Sequence, residues 1–373
     1  MKIYIIFIFL LTGAYIASVC YRKYAFNNLS VKRSISRDKL FPGEEFKINL
    51  QIENGKLIPV PFLNIEEIMP SQVKKKNLRY NETMGNTVSY SDIYSVGGRE
   101  RVKRSYPAEI NKRGVYFLRN LNVTIVDFFG MDKEEKQIED FKEIVVYPKL
   151  KDFSHINVTS NSILGENIIK RWIFTDPIFI KGIRDYTGSD RMKDIHWNSS
   201  LRMGNLMVKE YDYSSDKEAV LIINVQYNRP FWNSINEERV NKSCEIAASL
   251  SQSFLDKGIP VGLWSNAHII SHYGDLMDKV PNSLNNMADI LEFCGRVDST
   301  PREDFYDYFK RNLGLLTGNT VCVIIAGYLS RDVQELIEAS ARQGNIIKII
   351  DISRKNDLDE IAGTEKLNVR EVL

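Results

Sequence analysis

The 373-residue chain lacks most of the short motifs that carry enzyme chemistry. It has no G-x-x-x-x-G-K-[ST] loop, so it has no P-loop with which to hydrolyse a nucleotide. A G-x-S-x-G elbow, which would present a serine nucleophile, is also missing. Cysteine is scarce: Cys20, Cys244, Cys294 and Cys322 lie far apart with no C-x-x-C pair. That spacing argues against a zinc site and against a disulfide framework, and reduced thiols are the simpler reading. An excess of one charge is missing too. Fifty Lys and Arg stand against 48 Asp and Glu, and a net charge of +2 gives no general pull toward nucleic acid. No internal repeat or low-complexity tract interrupts the chain, and no cofactor is expected.

With 43% apolar residues, a chain of this length can bury two cores. Its first feature is the uncharged run Ile3–Val19, entered by Lys2 and left through Tyr21, Arg22, Lys23 and Tyr24. A cleaved signal peptide or a lipoprotein using Cys20 are alternatives, but Val19 is bulky for a residue preceding a lipidated cysteine. The run predicts an N-terminal transmembrane helix over residues 1–24. Arg22, Lys23, Lys32, Arg33, Arg37 and Lys39 follow it, so the positive-inside rule predicts a single-pass cell-membrane protein with its bulk in the cytoplasm.

Two periodicities divide the rest. Over residues 34–150, apolar and polar residues alternate as in FKINLQI (Phe46–Ile52), and turn residues such as Pro42-Gly43 and Asn54-Gly55 punctuate short runs. This predicts an all-β, β-sandwich domain. Within it, Lys74-Lys75-Lys76 has the look of a solvated loop. Residues 151–215 form a connecting segment. From 216 to 373 the pattern changes to continuous apolar runs, such as VLIINV, alternating with amphipathic helices. That is the signature of an α/β, doubly wound, mostly parallel sheet.

The connecting segment holds the most specific pattern: Arg184, Tyr186, Gly188, Asp190, Arg191, Ile195, Trp197, Ser200, Arg202, Leu206, Val208 and Glu210 recur at fixed spacing. In these residues the chain resembles the domain-of-unknown-function 58 (DUF58) family, although Leu201 stands where that family has a small residue. The strands FPGEEFKINLQIEN, PVPFLNIEE, KRGVYFL, VDFFG and VVYPKL are similar to that family's β-domain. The resemblance implies a membrane-anchored protein whose α/β part is a von Willebrand factor A-like domain. It also implies partnership with a MoxR-type AAA+ ATPase.

Von Willebrand A domains hold Mg²⁺ through Asp-x-Ser-x-Ser, and the corresponding positions here are Asn224, Gln226 and Asn228. No anionic ligand remains to offset dehydration of Mg²⁺, unless a distant carboxylate such as Asp351 completed the set. Between Lys181 and Lys217, seven basic and six acidic residues point to internal ion pairs, such as Arg191 or Arg202 with Asp190 or Glu210. Ile195, Trp197 and Leu206 would anchor this segment as a clamp or docking surface. The leading reading is a non-enzymatic adaptor acting with the ATPase in assembly or remodelling of other proteins. A metal-dependent hydrolase using Asp190, Asp194 and His196 is the alternative from another class. An exported adhesin is the third.

Overall fold

The computed structural model describes residues 2–151 and 175–368, apart from short stretches at 77, 79–80, 83–84, 129, 131, 188–191, 214–217, 234, 273–277, 317–319 and 354–357. Two compact units emerge. The first comprises Met1–Lys149 with Ile269–Leu276 and Leu291–Asp298; the second holds Leu150–His268, Met277–Ile290 and Ser299–Leu373.

The first unit begins with helix α1 (Lys2–Tyr24). It then runs through β1 (Leu29–Ile35), β2 (Lys39–Leu40), β3 (Glu45–Asn54), β4 (Val60–Pro70), β5 (Lys74–Lys75) and β6 (Asn81–Glu82). The strands β7 (Thr87–Val96), β8 (Arg101–Glu109), β9 (Gly114–Leu118), β10 (Leu121–Val126), β11 (Lys133–Ile138) and β12 (Lys142–Val146) complete it. One sheet has the order β1-β3-β8-β5, a second β11-β10-β4-β7-β6, and a small third β2-β12-β9. The period of two in β3 puts Phe46, Ile48, Leu50 and Ile52 into the interior, each no more than 1% exposed.

The N-terminal element corrects the expected fold class and, with it, the expected localisation. Among the described residues no helix is long and apolar enough to cross a membrane. The uninterrupted run Ile3–Val19 is 17 residues. At about 1.5 Å per residue it reaches about 26 Å, short of a hydrocarbon layer of about 30 Å. The end of α1 is bound to the β-rich unit instead. Tyr21 donates to the Pro59 carbonyl (3.3 Å) and meets Phe128 edge-on at 5.5 Å, while Lys56 donates to the carbonyls of Tyr24 and Ala25. Nearer its start α1 exposes Ile5, Phe7, Ile8 and Phe9.

A charge knot sits inside the first unit. Arg33 (2% exposed) gives Nε to Asp140 at 2.7 Å, Nη1 to Glu67 at 3.3 Å and Nη2 to the Arg119 carbonyl at 2.7 Å. Glu67 also receives Lys75, whose ammonium lies over the rings of Tyr90 (5.2 Å) and Tyr106 (4.8 Å). Lys75 is therefore not the solvated loop residue its neighbours suggest; it is 5% exposed. Only a shared carboxylate and two aromatic faces make such burial tolerable.

The second unit opens with β13 (Thr175–Asp185), helix α2 (Trp197–Met203) and β14 (Met207–Tyr213). There follow along the chain β15 (Glu218–Ile223), α3 (Glu237–Asp256), β16 (Val261–Ser265), β17 (Ala267–Ile269), β18 (Lys279–Ser283), α4 (Met287–Arg296) and β19 (Val297–Pro301), of which Ile269 and everything from Leu291 to Asp298 belong to the first unit. The chain ends with α5 (Phe305–Asn312), β20 (Thr320–Ala326), α6 (Arg331–Arg342), β21 (Ile346–Asp351) and β22 (Glu365–Asn368). A six-stranded sheet has the order β18-β16-β15-β20-β21-β22, parallel except where β18 meets β16. All five residues of β15 after Glu218 fail to alternate with solvent because both faces are covered: Val220 and Ile222 pack with Phe305, Tyr308 and Ile337 of α5 and α6, whereas α3 packs across β15, β16 and β20. Asn236 caps α3 by accepting the Arg239 N–H (3.1 Å).

Replacing Glu67 by Gln leaves two buried cations with one fewer countercharge. Chemical denaturation is expected to show a loss of about 3–5 kcal/mol for Glu67→Gln. A neutral effect would show that the knot contributes nothing to folding.

Candidate functional site

Two places in the second unit carry the residues singled out by the sequence: the segment around α2, and the carboxyl end of the parallel sheet.

Around α2, β13 and β14 pair antiparallel with Gly182 opposite Glu210, Arg184 opposite Val208 and Asp185 opposite Met207. His196 is committed to local structure through one of its ring nitrogens. Its Nδ1 accepts the Ser199 N–H at 3.1 Å and so caps α2. Gly204 ends the helix at φ 74°, a conformation that favours glycine. Ser200, 8% exposed, fixes the helix to β14: its hydroxyl donates to the His196 carbonyl (3.0 Å) and accepts the Met207 N–H (2.9 Å). Three backbone links reinforce this: His196 N–H to the Met207 carbonyl (2.8 Å), Tyr186 N–H to the Leu206 carbonyl (2.9 Å) and a bridge between Ile195 and Val208.

Of the three expected anchors only Ile195 is buried, at 3% exposure. Trp197 is 58% and Leu206 44% exposed. One helical turn brings Trp197 and Leu201 (83% exposed) to the same face, and Met192 and Met203 are exposed as well. Arg184 donates to the Asp185 carbonyl at 3.0 Å, and Arg202 is exposed. Gly188, Asp190 and Arg191 lie outside the described residues, as does the side chain of Glu210. The ion pairs expected of them therefore lie outside the structure, and so does the Asp190 corner of the hydrolase reading.

At the carboxyl end of the sheet, Asn224 and Gln226 are 1% and 2% exposed, and they serve the loop that contains them. Asn224 donates to the Tyr328 carbonyl and accepts the Gln226 N–H, both at 2.9 Å. Gln226 accepts the Phe305 N–H (2.9 Å) and donates to the Asn228 carbonyl (3.2 Å) and Asp304 (3.3 Å). The side chain of Asn228 accepts the Arg229 N–H at 2.8 Å. Two further members were missed in the sequence. Asn266 accepts the Val225 N–H (3.0 Å) and donates to the Glu303 carbonyl, while Asp304 caps α5 by accepting the Tyr306 N–H (2.9 Å). Asp304 before an amphipathic run was a legible cap; Asn266 carried no local signal. Arg229 then spans Asp304 (3.7 Å) and Asp332 (3.0 Å).

Asp351 does not complete a ligand set with Asn224. Sheet order puts β21 two strands from β15, about 10 Å away at the usual strand spacing. Its carboxylate accepts the N–H groups of Ser353 (2.8 Å) and Leu358 (3.1 Å) and pairs with Lys366 (3.0 Å). Burial pushes its pKa up, but these donors outweigh it and hold the carboxyl below the usual range. Among the described residues, no group of three or more His, Cys, Asp or Glu is placed to hold a metal ion.

Comparison with known proteins gives a family match whose description assigns no function. Residues 182–361 match the family described as "Protein of unknown function DUF58". The "Uncharacterized protein YeaD" of Bacillus subtilis (strain 168) is 21% identical over 333 residues, covering 87% of this chain and 76% of that protein. Among solved structures, a cohesin module from a Clostridium perfringens family 33 glycoside hydrolase is 12% identical and covers 32% of this chain and 96% of its own, at a TM-score of 0.25. Escherichia coli alpha-2-macroglobulin is 14% identical over 33% of this chain and 10% of its own, at 0.24. Scores this low carry no functional argument.

Two stability measurements follow. Ser200→Ala removes the hydroxyl that accepts a buried N–H and is expected to cost about 1–3 kcal/mol, whereas Trp197→Ala should stay within about 0.5 kcal/mol. Equal losses would mean that the tryptophan holds the segment as much as the serine does. Because the folded Asp351 ionises below its usual range, its stabilisation is fully present above about pH 4 and is lost as pH falls through the depressed value. Asp351→Asn should destabilise by about 3 kcal/mol near pH 7. As pH falls through that depressed value the urea midpoints of variant and parent should converge; a constant gap would refute the assignment.

Proposed function

We propose that this chain is a non-enzymatic protein-interaction protein and that the face of α2 is its docking surface. The observation that carries this reading is the contrast within seven residues: Ser200 is bonded into β14 while Trp197 and Leu201 stand in solvent. Large apolar side chains on an immobilised helix make contact area at little entropic cost, and exposed Trp is characteristic of interface hot spots. Met192 and Met203 add adaptable surface around them.

The partner we propose is a MoxR-type AAA+ ATPase, on the strength of the sequence resemblance. It fits a chain that has no P-loop of its own, since any work done on another protein must draw on an external source of energy. The hydrolase reading draws no support from His196, whose Nδ1 is occupied as a helix cap.

The test is affinity purification of the full chain with and without ATP, with mass spectrometry of the eluates and the Trp197→Asp/Leu201→Asp variant alongside. An AAA+ ATPase should co-elute in a nucleotide-dependent amount. The variant should bind it about 30-fold more weakly, as expected when a hot spot of about 2 kcal/mol is lost, with its melting temperature unchanged. Elution of the chain alone in both nucleotide states, or undiminished capture by the variant, would sink the proposal.

A further inference from the structure

The first unit has an open flank of its own, unrelated to α2. β7 pairs with β4 from Thr87 to Val96, and β8 pairs with β3 from Arg101 to Glu109. Their other edges are paired only at one end. β6 reaches Val88 and Ser89, and β5 reaches Ala108 and Glu109. Among the described residues, Ser91–Val96 and Arg101–Tyr106 therefore have no strand on their outer edges. Between these bare edges lies a groove of about 550 Å³, lined by Asp92 and Tyr94 from β7 and by Arg101, Arg104 and Tyr106 from β8.

The groove has a built floor. The hydroxyls of Tyr94 and Tyr106 are 2.7 Å apart, and Tyr94 reaches Asp92 at 3.5 Å. Burial first, and the neighbouring Asp92 after it, push the Tyr106 hydroxyl up to about 12 against the opposing hydrogen bond with Tyr94, so it stays neutral. Beneath Tyr106 lies the Lys75 ammonium.

An unpaired sheet edge is a template for another strand, and proteins normally blunt it. The edge strand β11, with the sequence KEEKQI, is blunted by charges of both signs. The β8 edge is different, because Arg99, Arg101, Lys103 and Arg104 are of one sign. Arg101 is held by Glu53 at 3.0 Å, but Lys103 and Arg104 are exposed and have no ion-pair partner among the described residues. The acids nearby are engaged: Asp92 with Tyr94, and Glu100 with the Gly97 N–H. A basic row repels a second copy of itself laid alongside, so pairing of two β8 edges is disfavoured. An acidic strand would be drawn to it.

We propose that this groove receives an acidic, extended peptide segment of a partner protein, which adds as a strand along Arg101–Tyr106 and sets a carboxylate against Arg104. Main-chain hydrogen bonds along six residues supply affinity, and alternate side chains entering the groove supply selectivity.

The experiment uses the full chain and two seven-residue probes, capped peptides of alternating Val-Glu and alternating Val-Lys. Amide hydrogen exchange reads the bound edge. The Val-Glu peptide should slow exchange across residues 101–106 by about tenfold or more, the Val-Lys peptide should not, and Arg104→Glu should reverse that preference. Arg104 is exposed, so its variant should keep the parent's melting temperature. If that variant does not fold, the salt dependence decides: protection by Val-Glu must weaken as ionic strength rises. The proposal is overturned if neither peptide protects the edge, if both protect it equally, if Arg104→Glu leaves Val-Glu protection intact, or if salt has no effect on it.

Discussion

Glu67 is the point on which the β-rich unit turns. One carboxylate in the interior answers two buried cations, Arg33 and Lys75, which approach it from different strands. Desolvating three charges is costly, and the cost is offset only when every hydrogen-bonding position is filled. Here Asp140 and the Arg119 carbonyl complete Arg33, and two aromatic faces complete Lys75. The knot ties β1, β4, β5 and the turn after β11 to one arrangement. A one-residue slip of β4 would turn Glu67 away from both cations. Its aromatic roof is also what leaves Tyr106 where β8 opens to solvent.

In the α/β unit the corresponding constraint is made from amides. At the carboxyl end of a parallel sheet, loops leave the strands with backbone groups unpaired, and such an end commonly becomes a ligand site because those groups await partners. Asn224, Gln226 and Asn266 close that end internally. Each donates and accepts within the loops, and Asp304 adds a helix cap. An amide can satisfy a donor and an acceptor at once, which a carboxylate cannot. Asparagine and glutamine at the carboxyl end of this sheet therefore make its loops self-supporting.

Much of this was readable from periodicity. FKINLQI alternates because one face of β3 is buried, and VLIINV does not because helices cover both faces of β15. What periodicity cannot supply is the partner across space. Lys75 sits among lysines and looked solvated, yet the strand carrying Glu67 lies opposite it. Trp197 looked like an anchor because tryptophan is large and apolar. The side chain that holds α2 is Ser200, and nothing local says that its hydroxyl will meet the Met207 N–H. The apolar run Ile3–Val19 carried hydropathy, but the attachment of Tyr21 and Tyr24 to the β-rich unit was not visible in the letters.

These constraints decide which surfaces remain for a partner. Polar groups satisfied inside the protein make no net gain by meeting a ligand, because each would exchange one hydrogen bond for another. The amide-closed end of the sheet and the Glu67 knot are in that position. Apolar area in water and an unpaired sheet edge are not: both gain when covered, the first through expulsion of water and the second through new main-chain bonds. The exposed face of α2 and the β8 edge meet those two conditions in different units, and they ask for different chemistry. One calls for an apolar contact that tolerates sequence change. The other calls for an extended backbone with acidic side chains. A partner, or two partners, meeting both would be recognised by shape in one unit and by charge in the other.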